Sequence, residues 1–75
     1  MSRKKMEKLA EQLKTMYLTE NPINFNDDRD WGYKYFICFH NTHTVVRRAS
    51  NIPEMVEVLQ DVIKNGVDID GHIFY

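Results

Sequence analysis

The sequence lacks three features that would each indicate a class of protein: a second cysteine, a long apolar run and an excess of one charge sign. Cys38 is the single cysteine among 75 residues, which excludes an internal disulfide framework and fits a reducing compartment. The longest apolar or aromatic run, residues 35–39, is far too short to cross a bilayer, and the N-terminus contains no apolar signal core. We therefore expect a cytoplasmic protein with no membrane association.

The charges nearly cancel, because ten basic and eleven acidic residues give a net charge of −1. Overall charge therefore indicates neither a nucleic-acid partner nor an acidic mimic of nucleic acid. A charged fraction of 28% and an aromatic fraction of 12% are typical of globular proteins. We expect one domain over residues 1–75 and, since the chain begins with Met1, a complete gene product. A domain this short buries only about 60% of its unfolded surface, so its stability is marginal unless it associates.

Apolar residues recur every three or four positions near the N-terminus and predict a first helix of about four turns. The stripe consists of Met6, Leu9, Ala10, Leu13, Met16 and Tyr17. Ser2 can cap this helix, and Asn21-Pro22 ends it because a residue before proline is disfavoured in the helical region. Arg3, Lys4 and Lys5 place positive charge at the helix N-terminus, where negative charge is preferred. Two interpretations stay open: a frayed, solvated first turn, which we favour, or a contact with phosphate or an acidic partner.

The polar run over residues 20–30 predicts a long loop. Asn26, Asp28 and Asp30 have the alternate spacing of the first three ligands in a calcium loop. Trp31 and Ile37, however, occupy the positions where that pattern requires Gly and Glu. We therefore expect a solvated loop and not a calcium site.

Aromatic and β-branched residues predict an antiparallel hairpin after this loop. Its first strand covers residues 31–39, its turn residues 40–43, and its second strand begins at Thr44. The expected register pairs Phe39 with Thr44, Ile37 with Val46 and Tyr35 with Arg48 on one face. On the other face it pairs Cys38 with Val45 and Phe36 with Arg47.

The second helix carries signals at both ends. Asn51 can cap it with Glu54 three residues on, Pro53 fits the first turn, and Lys64 followed by Gly66 ends it. Its apolar stripe consists of Ile52, Met55, Val56, Leu59, Val62 and Ile63. The tail, residues 67–75, alternates around Asp70-Gly71 and predicts either a small hairpin or a short third strand, docked against the rest. The expected fold is a small α+β domain in the order α-β-β-α-(β), with both helices on one face of an antiparallel hairpin.

The two faces of the hairpin differ. The first, with Tyr33, Tyr35, Ile37, Phe39 and Val46, is apolar and is expected to receive both helices. The second mixes apolar and basic side chains, and its candidate partner-binding residues are Lys34, Phe36, Val45 and Arg47. Three interpretations stay open for it: cover by the tail, an interface with a second copy or another protein, or a platform on which bases stack.

Chemistry-bearing motifs are few. Cys38, His40 and His43 would converge near the turn as a weak zinc alternative, but a fourth ligand is missing unless the tail brings His72 or Asp70 there. The sequence contains no glycine-rich phosphate loop, no nucleophile at a strand-to-helix elbow and no paired acid with a histidine in reach. We therefore expect no metal, no cofactor and no enzyme activity.

These observations favour a non-enzymatic protein-interaction module, an accessory protein of a phage or mobile element that binds and modulates a host protein. That origin is inferred from small size and from a composition compatible with an AT-rich genome. The first alternative is nucleic-acid binding by the basic N-terminus and hairpin, with Phe36 or Tyr35 stacking and with contacts from Arg3, Lys4, Lys5, Lys34, Arg47 and Arg48. The second alternative is a structural homodimer with a weak zinc site.

Overall fold

The protein has an α+β fold, seen in a computed structural model that describes residues 2–20 and 32–75. Its elements are α1 (Ser2–Ala10), β1 (Met16–Glu20), β2 (Tyr35–Phe39), β3 (Val45–Ala49), α2 (Ile52–Asn65), β4 (Val67–Ile69) and β5 (His72–Phe74). The first three strands form an antiparallel sheet in the order β1-β2-β3, and both helices pack on one of its faces. The predicted fold class is therefore confirmed. The predicted loop lies outside the described residues except for Glu20, as do Trp31 and the calcium-like positions Asn26, Asp28 and Asp30.

The first helix is shorter than predicted, because α1 ends at Ala10 and Met16–Glu20 is a strand. The chain leaves the helix through a tight turn in which the Gln12 and Leu13 amides bond carbonyls three residues back. The next two amides, of Lys14 and Thr15, donate instead to the Tyr75 carbonyl at 3.1 and 3.2 Å. Met16 and Leu18, two residues apart, share the face towards the helices, as alternate residues of a strand do.

A β-bulge corrects the predicted register of β2 and β3. Near the turn the prediction is right: Cys38 pairs with Val45, and the Phe39 amide donates to the Thr44 carbonyl at 3.0 Å. Between Ile37 and Cys38 the register shifts, and Val46 is the extra residue. Beyond it the pairs are Ile37 with Arg47, Phe36 with Arg48 and Tyr35 with Ala49, each one residue from the prediction. The bulge therefore exchanges the faces of the two arginines.

The hydrophobic core lies between the helices and the sheet. Four almost fully buried side chains come from the sheet, Met16, Tyr35, Ile37 and Ala49, and α1 contributes Met6. From α2 come Met55, Val56, Val58, Leu59 and Val62. Val58 was not in the predicted stripe, and Tyr33, predicted in the core, is 39% exposed. Among the described residues, no helix is long and apolar enough to cross a bilayer.

The signals at both ends of α2 act as predicted. The Asn51 side chain accepts a hydrogen bond from the Glu54 amide at 2.9 Å, and Pro53 lies in the first turn. At the other end the Gly66 amide donates to the Val62 carbonyl at 2.8 Å, with φ of +75°. After Gly66, β4 and β5 form the small hairpin that was one of the two alternatives for the tail.

Candidate interaction site

The four candidate partner-binding residues of the hairpin do not share one surface. Phe36 is 3% exposed, and Val45 is half-buried beside Cys38 on the same face. Arg47 lies on the opposite face, where its guanidinium donates to the Asp61 carboxylate of α2 at 2.7 Å. Lys34 is exposed, with its ammonium 3.8 Å from Glu20 and 5.7 Å from the centre of the Tyr35 ring. The four residues are separated because the β-bulge turns Arg47 towards the helices.

Arg3 and Arg47, both proposed for nucleic-acid contact, each donate hydrogen bonds to a carboxylate of the chain. Arg3 meets Glu20 through two hydrogen bonds of 3.1 and 3.3 Å and also donates to the Tyr35 hydroxyl at 3.3 Å. The hydrogen bonds from Arg3, and then the charges of Arg3 and Lys34, lower the pKa of Glu20. Lys4 and Lys5 are exposed on α1. Arg48 lies beside Phe36 on the second face of the sheet, away from Arg47.

The positions proposed for zinc are divided between the interior and the surface. Cys38 is fully buried, whereas His40 and His43 are exposed. The His43 ring nitrogen Nδ1 shares a 2.9 Å hydrogen bond with the Tyr17 hydroxyl, and the His40 ring centre is 5.0 Å from that of Tyr17. In residues 2–20 and 32–75 no three Cys, His, Asp or Glu side chains are placed to share a metal ion. The zinc alternative therefore has no ligand set in this part of the chain.

Tyr17 contacts both His40 and His43, although its spacing in the sequence predicted a helix. It pairs with Cys38 across the β1–β2 ladder, on the face away from the helices. Burial raises the pKa of the Tyr17 phenol, and the neighbouring Cys38 raises it further. The sequence does not reveal this position of Tyr17 unless β1 is known to be a strand. The chain leaves α1 before β1 at the point where the Lys14 and Thr15 amides donate to the Tyr75 carbonyl, which is distant in sequence.

The exposed apolar side chains are concentrated at the C-terminus. Of the five large apolar or aromatic side chains exposed in the described chain, four lie in residues 69–75. We call them the hairpin patch: Ile69, 36% exposed, Ile73, 56%, Phe74, 36%, and Tyr75, 42%. Ile69 and Phe74 lie on one face of the β4–β5 hairpin and Ile73 lies on the other, because directly paired residues of two strands share a face. Exposed apolar side chains concentrated in one segment of a small protein typically mark an interaction site.

Local geometry fixes the position of the hairpin patch. Asp70 and Gly71 have φ of +51° and +83°, as a two-residue hairpin turn requires, and the Asp68 carboxylate accepts from the Gly71 amide at 3.2 Å. At the far end the Tyr75 carbonyl receives the Lys14 and Thr15 amides. The tail is therefore docked by its backbone, while its apolar side chains remain partly exposed.

Two small cavities flank the hairpin patch. One, of about 200 Å³, lies beside the Phe74 ring, which meets the Phe39 ring edge-on at 5.4 Å, and is lined by Thr15, Phe39, Asn41, Thr42 and Phe74. The other, of about 230 Å³, lies between Tyr75, the end of α2 and the α1–β1 connection. Both are smaller than the roughly 300–1,000 Å³ typical of small-molecule sites. Each has the size to receive a side chain of a partner.

Comparison of the chain with protein-family models, with curated proteins and with solved structures finds no match.

Proposed function

We propose that the protein is a non-enzymatic protein-interaction module and that the hairpin patch is its binding surface. The observation that carries this proposal is the concentration of exposed apolar side chains in residues 69–75. Burying Ile73, the most exposed of them, against a partner removes apolar surface from water, at roughly 25 cal/mol per Å². The two flanking cavities add concave sites into which partner side chains can insert.

The identity of the partner rests on the sequence. We propose a host protein bound by an accessory protein of a phage or mobile element, in the cytoplasm, where the free thiol of Cys38 stays reduced. Homodimerisation is the alternative, supported by the same patch and by the marginal stability expected of 75 residues. Nucleic-acid binding has weaker support, because Arg3 and Arg47 each donate to a carboxylate of the chain.

The experiment compares Ile73→Asp with Glu57→Lys, an exposed substitution on α2 that also changes charge. Sedimentation velocity at tens of micromolar measures self-association, and affinity capture from the native host measures partner binding. A partner that the wild type and Glu57→Lys retain, and that Ile73→Asp loses, supports the proposal. A dimer that Ile73→Asp dissociates supports the homodimer alternative. A partner bound equally by all three proteins contradicts the proposed surface.

A further inference from the structure

A groove runs between α1 and the outer side of β1. It encloses about 480 Å³. Its floor is apolar and is formed by Met6, Ala10, Leu13, Met16 and Leu18. Met6 and Met16 are both about 1% exposed, so the apolar surface that a ligand can reach belongs to the half-buried Ala10, Leu13 and Leu18.

One wall of the groove is an edge strand. In the described part of the chain β1 pairs with β2 alone, so alternate backbone amides and carbonyls of β1 are directed towards the groove. β3 is the other edge strand of this sheet, and α2 packs against it. Among residues 2–20 and 32–75, nothing pairs with the outer edge of β1.

The opposite wall carries negative charge. Glu7 of α1 and Glu11, which follows the end of that helix, line the groove one helical turn apart, and both are exposed. Arg3 also lines the groove, and its interactions with Glu20 first and then with Glu7 raise the pKa of its guanidinium. Across residues 2–20 and 32–75 neither Glu7 nor Glu11 has a side-chain hydrogen bond or an ion pair. Glu20, the third acid of the groove, is instead neutralised by Arg3. The groove thus combines strand-pairing groups with two exposed carboxylates that have no hydrogen-bonded partner among the described residues.

From these observations we infer that the groove binds an extended, basic segment of a partner protein, which adds to the sheet beside β1. Backbone hydrogen bonds to β1 supply the pairing, and apolar side chains of the segment cover Leu13 and Leu18. Basic side chains on its outer edge face Glu7 and Glu11. This site uses none of the residues of the hairpin patch, so it is independent of the function proposed above.

A second copy of the chain fits the groove less well. A two-fold pairing of β1 with its copy would place Leu18 opposite its counterpart and bring the two α1 helices side by side. Glu7 and Glu11 of one copy would then face the same residues of the other, and like charges repel. The charge of the groove therefore selects a basic partner over self-association.

The test titrates the full chain with an acetylated, amidated hexapeptide that alternates lysine and valine, followed by ¹H–¹⁵N NMR. We expect saturable shifts centred on the amides of residues 17–19 and on Glu7 and Glu11. Two control peptides separate the contributions: glutamate–valine alternation reverses the charge, and N-methylation of the two central peptide nitrogens blocks both strand edges. Binding of either control as tight as that of the parent overturns the inference.

Matched variants test the acidic wall. Glu7→Gln with Glu11→Gln should weaken the lysine–valine peptide roughly three- to tenfold, the effect of losing two exposed ion pairs. Glu54→Gln with Glu57→Gln removes the same charge from exposed positions on α2 and should leave the affinity unchanged. Ile73→Asp should also leave it unchanged, which distinguishes this site from the hairpin patch. Concentration-dependent shifts of β1 without peptide would identify a second copy as the occupant and overturn the inference.

Discussion

Gly66 and Phe74 approach so closely that no other residue fits at position 66. A Cβ built on Gly66 would lie 2.8 Å from the Phe74 carbonyl oxygen and would overlap the Ile73 side chain. The backbone of Gly66 has φ of +75° and ψ of −172°, a region that is essentially restricted to glycine. The residue that ends α2 therefore also allows β5 to dock.

We expect Gly66→Ala to destabilise the protein by about 1–3 kcal/mol through backbone strain alone, and further through the clash with the Phe74 carbonyl. Gly71→Ala is the control, because Gly71 also has a positive φ but a Cβ there meets nothing within 4 Å. Urea denaturation monitored by circular dichroism measures both. Equal losses in the two variants would show that the contact with Phe74 contributes nothing.

The cap of α2 gives a second prediction. Asn51→Ala removes the acceptor of the Glu54 amide and should lower the free energy of unfolding by about 1 kcal/mol. Asn51→Ser supplies another acceptor at the same position and should recover most of this loss. A melting temperature unchanged in Asn51→Ala would contradict the importance of this hydrogen bond.

Both ends of α2 could be predicted because their signals are local: a cap, a proline in the first turn and a terminal glycine act on adjacent backbone groups. The end of α1 could not, because the amides of Lys14 and Thr15 are taken by a carbonyl sixty residues away in sequence. Only Met16 and Tyr17 of the predicted stripe lie in β1, and two adjacent residues do not distinguish the period of a helix from that of a strand.

The bulge explains why the four residues of the predicted hairpin surface do not lie on one face. A one-residue change of register moves every later side chain to the opposite face, and sequence alone gives no sign of the extra residue at Val46. Phe36 and Cys38 kept their predicted face, whereas Arg47 moved to the helix side. The tail was expected to dock against the rest of the chain, and its backbone does so, but the side chains of residues 73–75 remain partly exposed.

The core gives a third prediction. Leu59→Ala should cost about 2–5 kcal/mol, because Leu59 is fully buried in α2 and the substitution leaves a cavity. Leu9→Ala removes the same atoms from a half-buried position on α1 and should cost less. Chemical denaturation gives both values, and a larger loss for Leu9→Ala would contradict the burial described for α2.

The ion pair between Arg47 and Asp61 gives a prediction about acid stability. Hydrogen bonds from Arg47 and then from Asn65 lower the pKa of Asp61, so the folded state favours the carboxylate. This stabilisation is present above the ordinary aspartate pKa of about 3.9 and is lost as the pH falls through the lower, folded value. Asp61→Asn should therefore be less stable than the wild type at pH 7, and the difference should disappear in acid.

A double-mutant cycle controls for the other contacts of Asp61. Arg47→Gln should reproduce part of the loss at pH 7, and the double variant should lose less than the sum of the two single variants. Strict additivity, or a difference between Asp61→Asn and wild type that persists at low pH, would show that the ion pair does not supply the stabilisation.

The raised pKa of Tyr17 gives the last prediction, which concerns stability at alkaline pH. Burial, and then Cys38, raises the pKa of Tyr17 above the ordinary tyrosine value of about 10. The folded state therefore retains the phenolic proton, and this stabilisation is complete below the ordinary value and is lost as the pH rises above it. The wild type should lose stability above pH 10 more steeply than Tyr17→Phe. At neutral pH the variant should lose less than about 1 kcal/mol, because the hydrogen bond that the substitution removes is exposed.

Thermal melts between pH 8 and 11, on the order of one pH unit either side of the tyrosine value, measure the difference. Tyr75→Phe removes a phenol from an exposed position and serves as the control. Parallel pH profiles for the wild type and Tyr17→Phe would contradict a special environment for Tyr17.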